Sequence, residues 1–109
     1  MKRLRFVGRC KEDLSAFPAS TRSRVGHELF MVQAGREPSD WKPMPTVGPG
    51  ASEIRARDES GVYRVIYVAK FAGAVYALHA FKKQTQQTSP GDLELARQRY
   101  RIAQMLAKE

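Results

Sequence analysis

The sequence predicts a single α+β domain in which helices lie on one face of an antiparallel sheet of about four strands. Three strand-like segments follow one another in the second half of the chain, and the short turns between them are typical of antiparallel neighbours. Amphipathic segments before and after these strands predict helices that bury an apolar stripe. A chain of 109 residues suits one hydrophobic core, so we expect one domain over residues 1–109.

The first predicted elements are a short strand and two helices. The segment KRLRFVG places Leu4 and Phe6 on one side of an extended strand. A turn of helix is expected around Asp13–Ala16, followed by a longer helix that begins at Pro18 and ends at Gly35. The apolar positions of the longer helix recur at i, i+4 and i+7, namely Val25, Leu29 and Val32.

The next segment, GREPSDWKPMPTVGPG at residues 35–50, predicts a loop. Its four prolines and three glycines are incompatible with a long helix or a central strand. Trp41 either anchors this loop or joins Lys42 in binding a partner, and the pattern leaves both interpretations open. Three strands are then predicted at SEIRAR, VYRVIYVAK and AVYALHAFKK.

The last segment, SPGDLELARQRYRIAQMLAKE, predicts a helix. Ser89 is a typical N-cap, Pro90 suits the first helical position, and Asp92 lies three residues after the cap. The apolar side chains expected to face the core are Leu95, Ala96, Ile102, Ala103, Met105 and Leu106.

Composition limits the partners and the chemistry. The net charge of +8 and the pI near 10.1 favour a polyanionic partner, with nucleic acid ahead of an acidic protein or an anionic membrane. Cys10 is the one cysteine, which excludes an internal disulfide and a multi-cysteine zinc site and suits a reducing cytosol. Walker, GxGxxG, HExxH and CxxC motifs are absent, so we expect no metal and no cofactor. Without an apolar run of signal-peptide or membrane-spanning length, we expect a soluble cytoplasmic protein.

Cationic side chains recur on all three predicted strands. In the first strand, alternation sends Arg55 and Arg57 to the face opposite Ile54, where they either solubilise the sheet or bind a partner. In the second strand, Arg64 shares a face with Ile66, and a buried arginine needs an anionic partner.

Strict alternation along the third strand separates its candidate side chains. Lys82 points to one face, and the other face carries His79, Phe81 and Lys83 together with Val75 and Ala77. The cations of the three strands would then converge in a concave basic patch. The alternatives are a hydrogen-bonded core histidine and lysines that only discourage edge pairing.

Three motifs lie close together in the second half of the chain. They are the strand EIRAR at 53–57, the strand GVYRVIY at 61–67, and the segment LHAFKKQTQQTSP at 78–90, which precedes the helix motif ELARQR. In this order and spacing they resemble the HigB-like branch of the RelE/ParE superfamily, the toxins of bacterial type II toxin–antitoxin systems.

The resemblance implies a RelE-like fold, with a helical N-terminal pair on a twisted antiparallel sheet, and a metal-independent endoribonuclease that cleaves mRNA on the 70S ribosome. It also implies a helix-turn-helix antitoxin that blocks the toxin and connects it to operator DNA. Residue by residue, it places Arg64 at the recurring catalytic arginine, Arg55 and Arg57 in the basic strand, and Lys82 and Lys83 in the basic segment that follows.

Metal-free RNA cleavage uses the 2′-hydroxyl as nucleophile and needs a base, an acid and a cation for the phosphate oxygens. Arginine suits the last role. His79 is the first candidate acid or base because imidazole titrates near neutral pH, and Tyr67 is the second, with Lys82 and Lys83 also open. Phe81 either stacks an RNA base or belongs to the core. Remote arginines expected to dock on ribosomal RNA are Arg22, Arg24, Arg97, Arg99 and Arg101.

Two other functions stay open at this level. The ParE branch of the same superfamily poisons DNA gyrase and does not cut RNA. An inactivated homologue would use the same basic patch to bind RNA without cleaving it.

Overall fold

The computed structural model describes residues 1–84 and 87–108, so Thr85 and Gln86 of the predicted basic segment lie outside the described residues. Five strands form one sheet in the order β1-β5-β4-β3-β2. β1 pairs with β5 in parallel, and the other three pairs are antiparallel. The predicted α+β class is confirmed. The elements are β1 (Arg3–Phe6), α1 (Cys10–Ser15), α2 (Ala19–Gln33), β2 (Trp41–Pro43), β3 (Ala51–Asp58), β4 (Gly61–Val68), β5 (Ala74–Lys82) and α3 (Pro90–Ala107).

The N-terminal elements match their prediction in type and order, although α1 begins at Cys10, three residues earlier than expected. Leu4 and Phe6 are half-buried and pack on the core that α1 and α2 form with the sheet. Val25, Leu29 and Val32 of α2 are buried in the same core. The predicted loop at 35–50 contains the three-residue strand β2, which lies at the edge of the sheet, where prolines are tolerated.

The prediction that all helices lie on one face of the sheet is wrong. α1 and α2 cover one face, whereas α3 packs on the other against Tyr76 and Leu78 of β5. The reason is visible in β4 and β5, where consecutive residues of both strands are buried. Strands that are apolar on both sides need cover on both faces.

The helix α3 begins as predicted, and its predicted core stripe is right for Ala96, Ala103 and Leu106, which pack in the core. The Ser89 hydroxyl accepts a hydrogen bond from the backbone N–H of Asp92, and Pro90 is the first helical residue. Ile102 is 45% exposed and Met105 is 70% exposed, which contradicts their predicted core positions. The buried residues of α3 are Ala96, Arg99, Tyr100 and Ala103.

A β-bulge changes which residues of β5 share a face. Ile66 pairs with His79 but Tyr67 pairs with Ala77, so Leu78 is an extra residue opposite β4. Leu78 and His79 therefore lie on the same side. The prediction that His79, Phe81 and Lys83 share a face with Val75 and Ala77 is wrong, since strict alternation does not hold across a bulge.

No helix of the described chain is long and apolar enough to cross a membrane.

Candidate active site

The part of the α3-side face that lies beyond the helix forms an open groove of about 740 Å³. Arg55 and Arg64 lie directly opposite each other in the β3–β4 pair, and the backbone N–H of Lys83 donates to the Val62 carbonyl at 2.7 Å. This register brings cations from three consecutive strands to one place. The residues that line this basic groove are Arg55, Arg57, Gly61, Val62, Arg64, Lys83 and Gln84.

Gly61 begins β4 at the mouth of the basic groove. Its φ of +146° lies in a region that favours glycine, and a Cβ at this position would meet Lys82 Cε at 2.9 Å. A side chain here would strain the tight turn that sets the β3–β4 register. The glycine therefore helps to hold Arg55 opposite Arg64.

Arg64 forms the floor of the basic groove. The residue is only 3% exposed, and its Nη1 donates to Oε1 of Glu53, which is fully buried. The anionic partner that a buried arginine requires is thus supplied by the neighbouring strand. Among the described residues, Arg64 Nε and Glu53 Oε2 have no hydrogen-bond partner.

Arg55 and Arg57 extend the groove toward the edge of the sheet. Arg55 Nη2 lies 3.2 Å from Asp40 Oδ1, which comes just before β2. Arg57 is exposed, and its backbone carbonyl accepts a hydrogen bond from Arg24 Nη1 of α2 at 3.2 Å. The positive surface therefore continues from the groove around the edge of β3 to α2.

Lys83 is the titratable side chain of the basic groove. Partial burial lowers its pKa below the ordinary value of 10.5, and the nearby charges of Arg64, Lys42 and Arg55 lower it further. The carboxylate of Glu53 acts in the opposite direction and raises the pKa. Lys83 thus gives up its proton more readily than a solvated lysine.

His79 lies on the same face but under α3, outside the groove lining. It is 5% exposed, its Nε2 lies 2.7 Å from Asp92 Oδ1, and its ring stacks on Phe81 with centroids 4.7 Å apart. The other Asp92 oxygen accepts a 2.7 Å hydrogen bond from the Ser89 hydroxyl. The structure thus connects His79 to the start of α3, and Phe81 packs at the edge of the α3-side core.

Two predicted site residues lie on the opposite face of the sheet. Tyr67 is 5% exposed in the core beneath α2, and burial raises the pKa of its hydroxyl. Lys82 Nζ lies 5.9 Å from the centre of the Tyr63 ring, which belongs to that same core. Neither residue meets Arg64. Tyr67 lies three residues after Arg64 and Lys82 directly precedes Lys83, and an odd separation along a strand turns a side chain to the opposite face.

Arg99, which was expected to dock on ribosomal RNA, is buried. It is 8% exposed, and its Nη1 donates to the carbonyl of Leu78 at 3.0 Å. Its guanidinium is occupied by this carbonyl beneath α3 and, unlike that of Arg64, does not line the basic groove. Arg99 is therefore not placed to bind RNA, and the expectation that it docks on ribosomal RNA is wrong. Arg22, Arg24 and Arg101 are exposed, and Arg97 is half-buried.

The sequence reasoning missed Glu53 and Asp40, the acids that hold Arg64 and Arg55. A usable signal existed for Glu53, which shares the Arg55 side of β3 and lies two residues from the Arg55–Arg64 pair. Asp40 had no such signal, because β2 was read as part of a loop. In the described residues, no group of three or more metal-binding side chains is placed to hold a metal ion.

Comparison with known proteins agrees with this fold. The family model described as "Phage derived protein Gp49-like" matches residues 12–101. A solved structure of the E. coli toxin RelE, an arginine-to-alanine double mutant in the free state, is similar over 74% of this chain and 82% of that chain. The TM-score is 0.58 and the sequence identity is 19%, so this likeness confirms the predicted RelE-like fold and nothing finer. No curated protein sequence matches this one.

Proposed function

The chain belongs to the family of phage-derived Gp49-like proteins, and from this premise we propose that it is a type II toxin that cleaves mRNA on the ribosome. One observation carries the proposal: four cations line one open groove, those of Arg55 and Arg57 in β3, Arg64 in β4 and Lys83 directly after β5. Binding sites for small molecules usually enclose their ligand, whereas single-stranded RNA is bound along open cationic grooves. The open groove of this protein therefore suits an RNA backbone better than a small molecule.

The proposed reaction is attack of the RNA 2′-hydroxyl on the adjacent phosphorus. The bond between phosphorus and the 5′-oxygen breaks, which leaves a 2′,3′-cyclic phosphate and a free 5′-hydroxyl. Arg64 stabilises the negative charge that develops on the phosphate oxygens, because its guanidinium stays protonated and lines the floor of the groove.

Lys83 is the proposed general acid of the same reaction. The lowered pKa makes its ammonium group a better proton donor to the departing 5′-oxygen than an ordinary lysine would be. The 2′-hydroxyl proton passes to water in the open groove, and Lys83 regains its proton from solvent. Arg55 and Arg57 bind the flanking phosphates.

The same proposal includes the partners. The toxin acts in the cytoplasm on mRNA held by the 70S ribosome, and a helix-turn-helix antitoxin neutralises it. Operator DNA is bound only through that antitoxin. No metal or cofactor takes part.

The test is primer extension across a defined mRNA on purified ribosomes, with and without the protein. We expect discrete cuts that require ribosomes and that weaken by about a hundredfold or more in Arg64→Lys, which keeps the charge but loses the planar fork. Arg99→Lys is the matched control, since Arg99 is also buried but lies outside the groove. Its cleavage should equal that of the wild type.

Two results would contradict the proposal. Intact mRNA with folded wild-type protein would exclude the nuclease, and blocked supercoiling by gyrase in the same preparation would identify the ParE-type poison. Equal loss of cleavage in Arg64→Lys and Arg99→Lys would show that a buried arginine matters for stability and not for chemistry.

A further inference from the structure

A buried carboxylate lies beneath the basic groove and does not line it. Glu53 is 0% exposed, and its Oε1 accepts a hydrogen bond from Arg64 Nη1. Glu53 lies on the side of β3 that faces the groove, opposite the apolar Ile66 of β4. RNA in the groove would meet Arg64 and not Glu53.

Stability alone does not explain this ion pair. A buried pair has to overcome the loss of hydration of both charges, and replacement by apolar residues of similar volume is often neutral or stabilising. The pair is also incompletely hydrogen-bonded, since Glu53 Oε2 and Arg64 Nε have no partner among the described residues. Glu53 lies between Ile66 of β4 and Lys42 of β2 in the sheet.

The geometry gives the pair a role at the site. Arg64 lines the groove, and its hydrogen bond to Glu53 comes from a residue that does not line it. This hydrogen bond therefore restrains the Arg64 side chain from below the groove floor. The other charges that act on Lys83, those of Arg64, Lys42 and Arg55, are all positive. Within the described chain, Glu53 is the carboxylate that offsets this crowding at the floor of the groove.

We propose that Glu53 is a positioning residue of this site, which aims the Arg64 guanidinium at the scissile phosphate and offsets the repulsion between Arg64 and Lys83. This role rests on the proposed nuclease function. Glu53 itself touches no RNA and transfers no proton. Its removal should therefore impair the chemical step and leave RNA binding intact.

The test is single-turnover cleavage of ribosome-bound mRNA at increasing protein concentration, which separates the maximal rate from the half-saturating concentration. Glu53→Gln keeps the volume and a hydrogen-bond acceptor but removes the charge. We expect its maximal rate to fall about tenfold to a hundredfold, because small displacements of a catalytic group have effects of this size. Half-saturation should stay unchanged or improve, since the variant is more positive by one charge.

A second readout is the pH dependence of the maximal rate. The Glu53 charge raises the pKa of Lys83, so its loss should move the alkaline limb of the profile to lower pH. Arg64, Arg55 and Lys42 are unchanged in this variant and act on Lys83 in both proteins, and Arg57 lines the same groove. A purely structural glutamate would not move this limb.

Glu28→Gln is the matched control. Glu28 is also buried, at 6% exposure, but its carboxylate binds Ser39 and not an arginine. Its loss should lower the melting temperature without changing the maximal rate of the folded protein or the alkaline limb. Equal effects of Glu28→Gln and Glu53→Gln on the rate would overturn the positioning role.

A second variant decides the matter if Glu53→Gln does not fold. Glu53→Asp keeps the charge but shortens the reach to Arg64, so we expect a slower maximal rate with an unshifted alkaline limb. Full activity in Glu53→Asp or in folded Glu53→Gln would overturn the role of Glu53 alone. Absence of cleavage by the wild type would overturn the nuclease and, with it, this role.

Discussion

Lys83 differs from the arginines of the basic groove because its ammonium group loses its proton more readily than that of an ordinary lysine. Partial burial, followed by the charges of Arg64, Lys42 and Arg55, lowers its pKa from 10.5. The ammonium form is the proposed acid. The cleavage rate should therefore fall as pH rises through this lowered pKa.

The measurement is the single-turnover cleavage rate from neutral to alkaline pH. Lys83→Ala should slow the reaction by about a hundredfold to ten-thousandfold, the usual contribution of a general acid. Lys83→Arg should lose the alkaline limb, since arginine does not deprotonate in this range. Lys82→Ala is the matched control, because Lys82 lies next in sequence but on the opposite face. A rate that rises through the alkaline range would assign Lys83 as the base.

The environment of a single residue was predictable from the sequence where its chemistry allows few environments, as for a buried charge. Arg64 stood out as a cation in an apolar strand, and the requirement for an anionic partner was correct, although the partner Glu53 was not recognised. His79 was expected in the groove because strict alternation aligned it with Lys83. The bulge at Leu78 comes before both residues and leaves them on one face, but α3 covers His79 and leaves Lys83 accessible.

Among the elements, the β3–β4 hairpin is joined to α2 by Asp58. Its Oδ1 accepts hydrogen bonds from the Ser60 hydroxyl at 2.6 Å and the Ser60 N–H at 2.7 Å, and its Oδ2 accepts one from Thr21 at 3.0 Å. The Ser60 side chain, followed by the other hydrogen bonds, lowers the pKa of Asp58 below 3.8. The ionised form is thus favoured in the folded protein.

This linkage predicts how Asp58→Asn depends on pH. A carboxyl group with a lowered pKa in the folded state stabilises the protein above its unfolded pKa, and the effect is lost as pH falls through the folded pKa. Thermal unfolding should show a lower melting temperature for Asp58→Asn at neutral pH. The difference from the wild type should shrink below pH 3.8. Glu59→Gln, at the exposed next position of the turn, should match the wild type, and a difference that persists in acid would contradict the linkage.

The type and order of the elements were more predictable than the faces that they cover. Hydrophobic periodicity and the Ser89 cap are local signals, and they located α2 and α3 correctly. The position of α3 depends on the burial of β4 and β5 on both faces. The sequence of one segment alone does not reveal which elements cover those faces. β2 is held by pairing with β3 and has little strand signal of its own.

The distribution of charge over the whole molecule determines how it should bind RNA. Arg64 and Arg55 are each paired with a carboxylate, of Glu53 and Asp40 respectively. In the chain as described, Arg24, Arg57 and Lys83 form no ion pair with an acidic side chain. The groove and its extension to α2 thus offer about three uncompensated cations to phosphates.

The salt dependence of RNA binding tests this arrangement. Each uncompensated cation that contacts a phosphate of single-stranded RNA contributes about −0.7 to the slope of log K against log salt. Arg55 and Arg64 contact phosphates too but are already neutralised by Asp40 and Glu53, so the three uncompensated cations predict a slope near −2. Between about 50 and 200 mM salt, affinity for an oligonucleotide protected from cleavage by 2′-O-methyl groups should fall roughly twentyfold. Fluorescence anisotropy measures this directly.

Variants relate the slope to particular side chains. Arg24→Ala should weaken binding and flatten the slope by about 0.7, because it removes one contact at the end of the positive surface. It should leave the cleavage rate of bound mRNA unchanged, since Arg24 lies outside the basic groove. Lys11→Ala, at an exposed lysine of α1, is the charge-matched control and should retain the wild-type slope. A flat titration for the wild type would exclude electrostatic attraction of the RNA, and equal slopes for both variants would show that net charge rather than this surface attracts it.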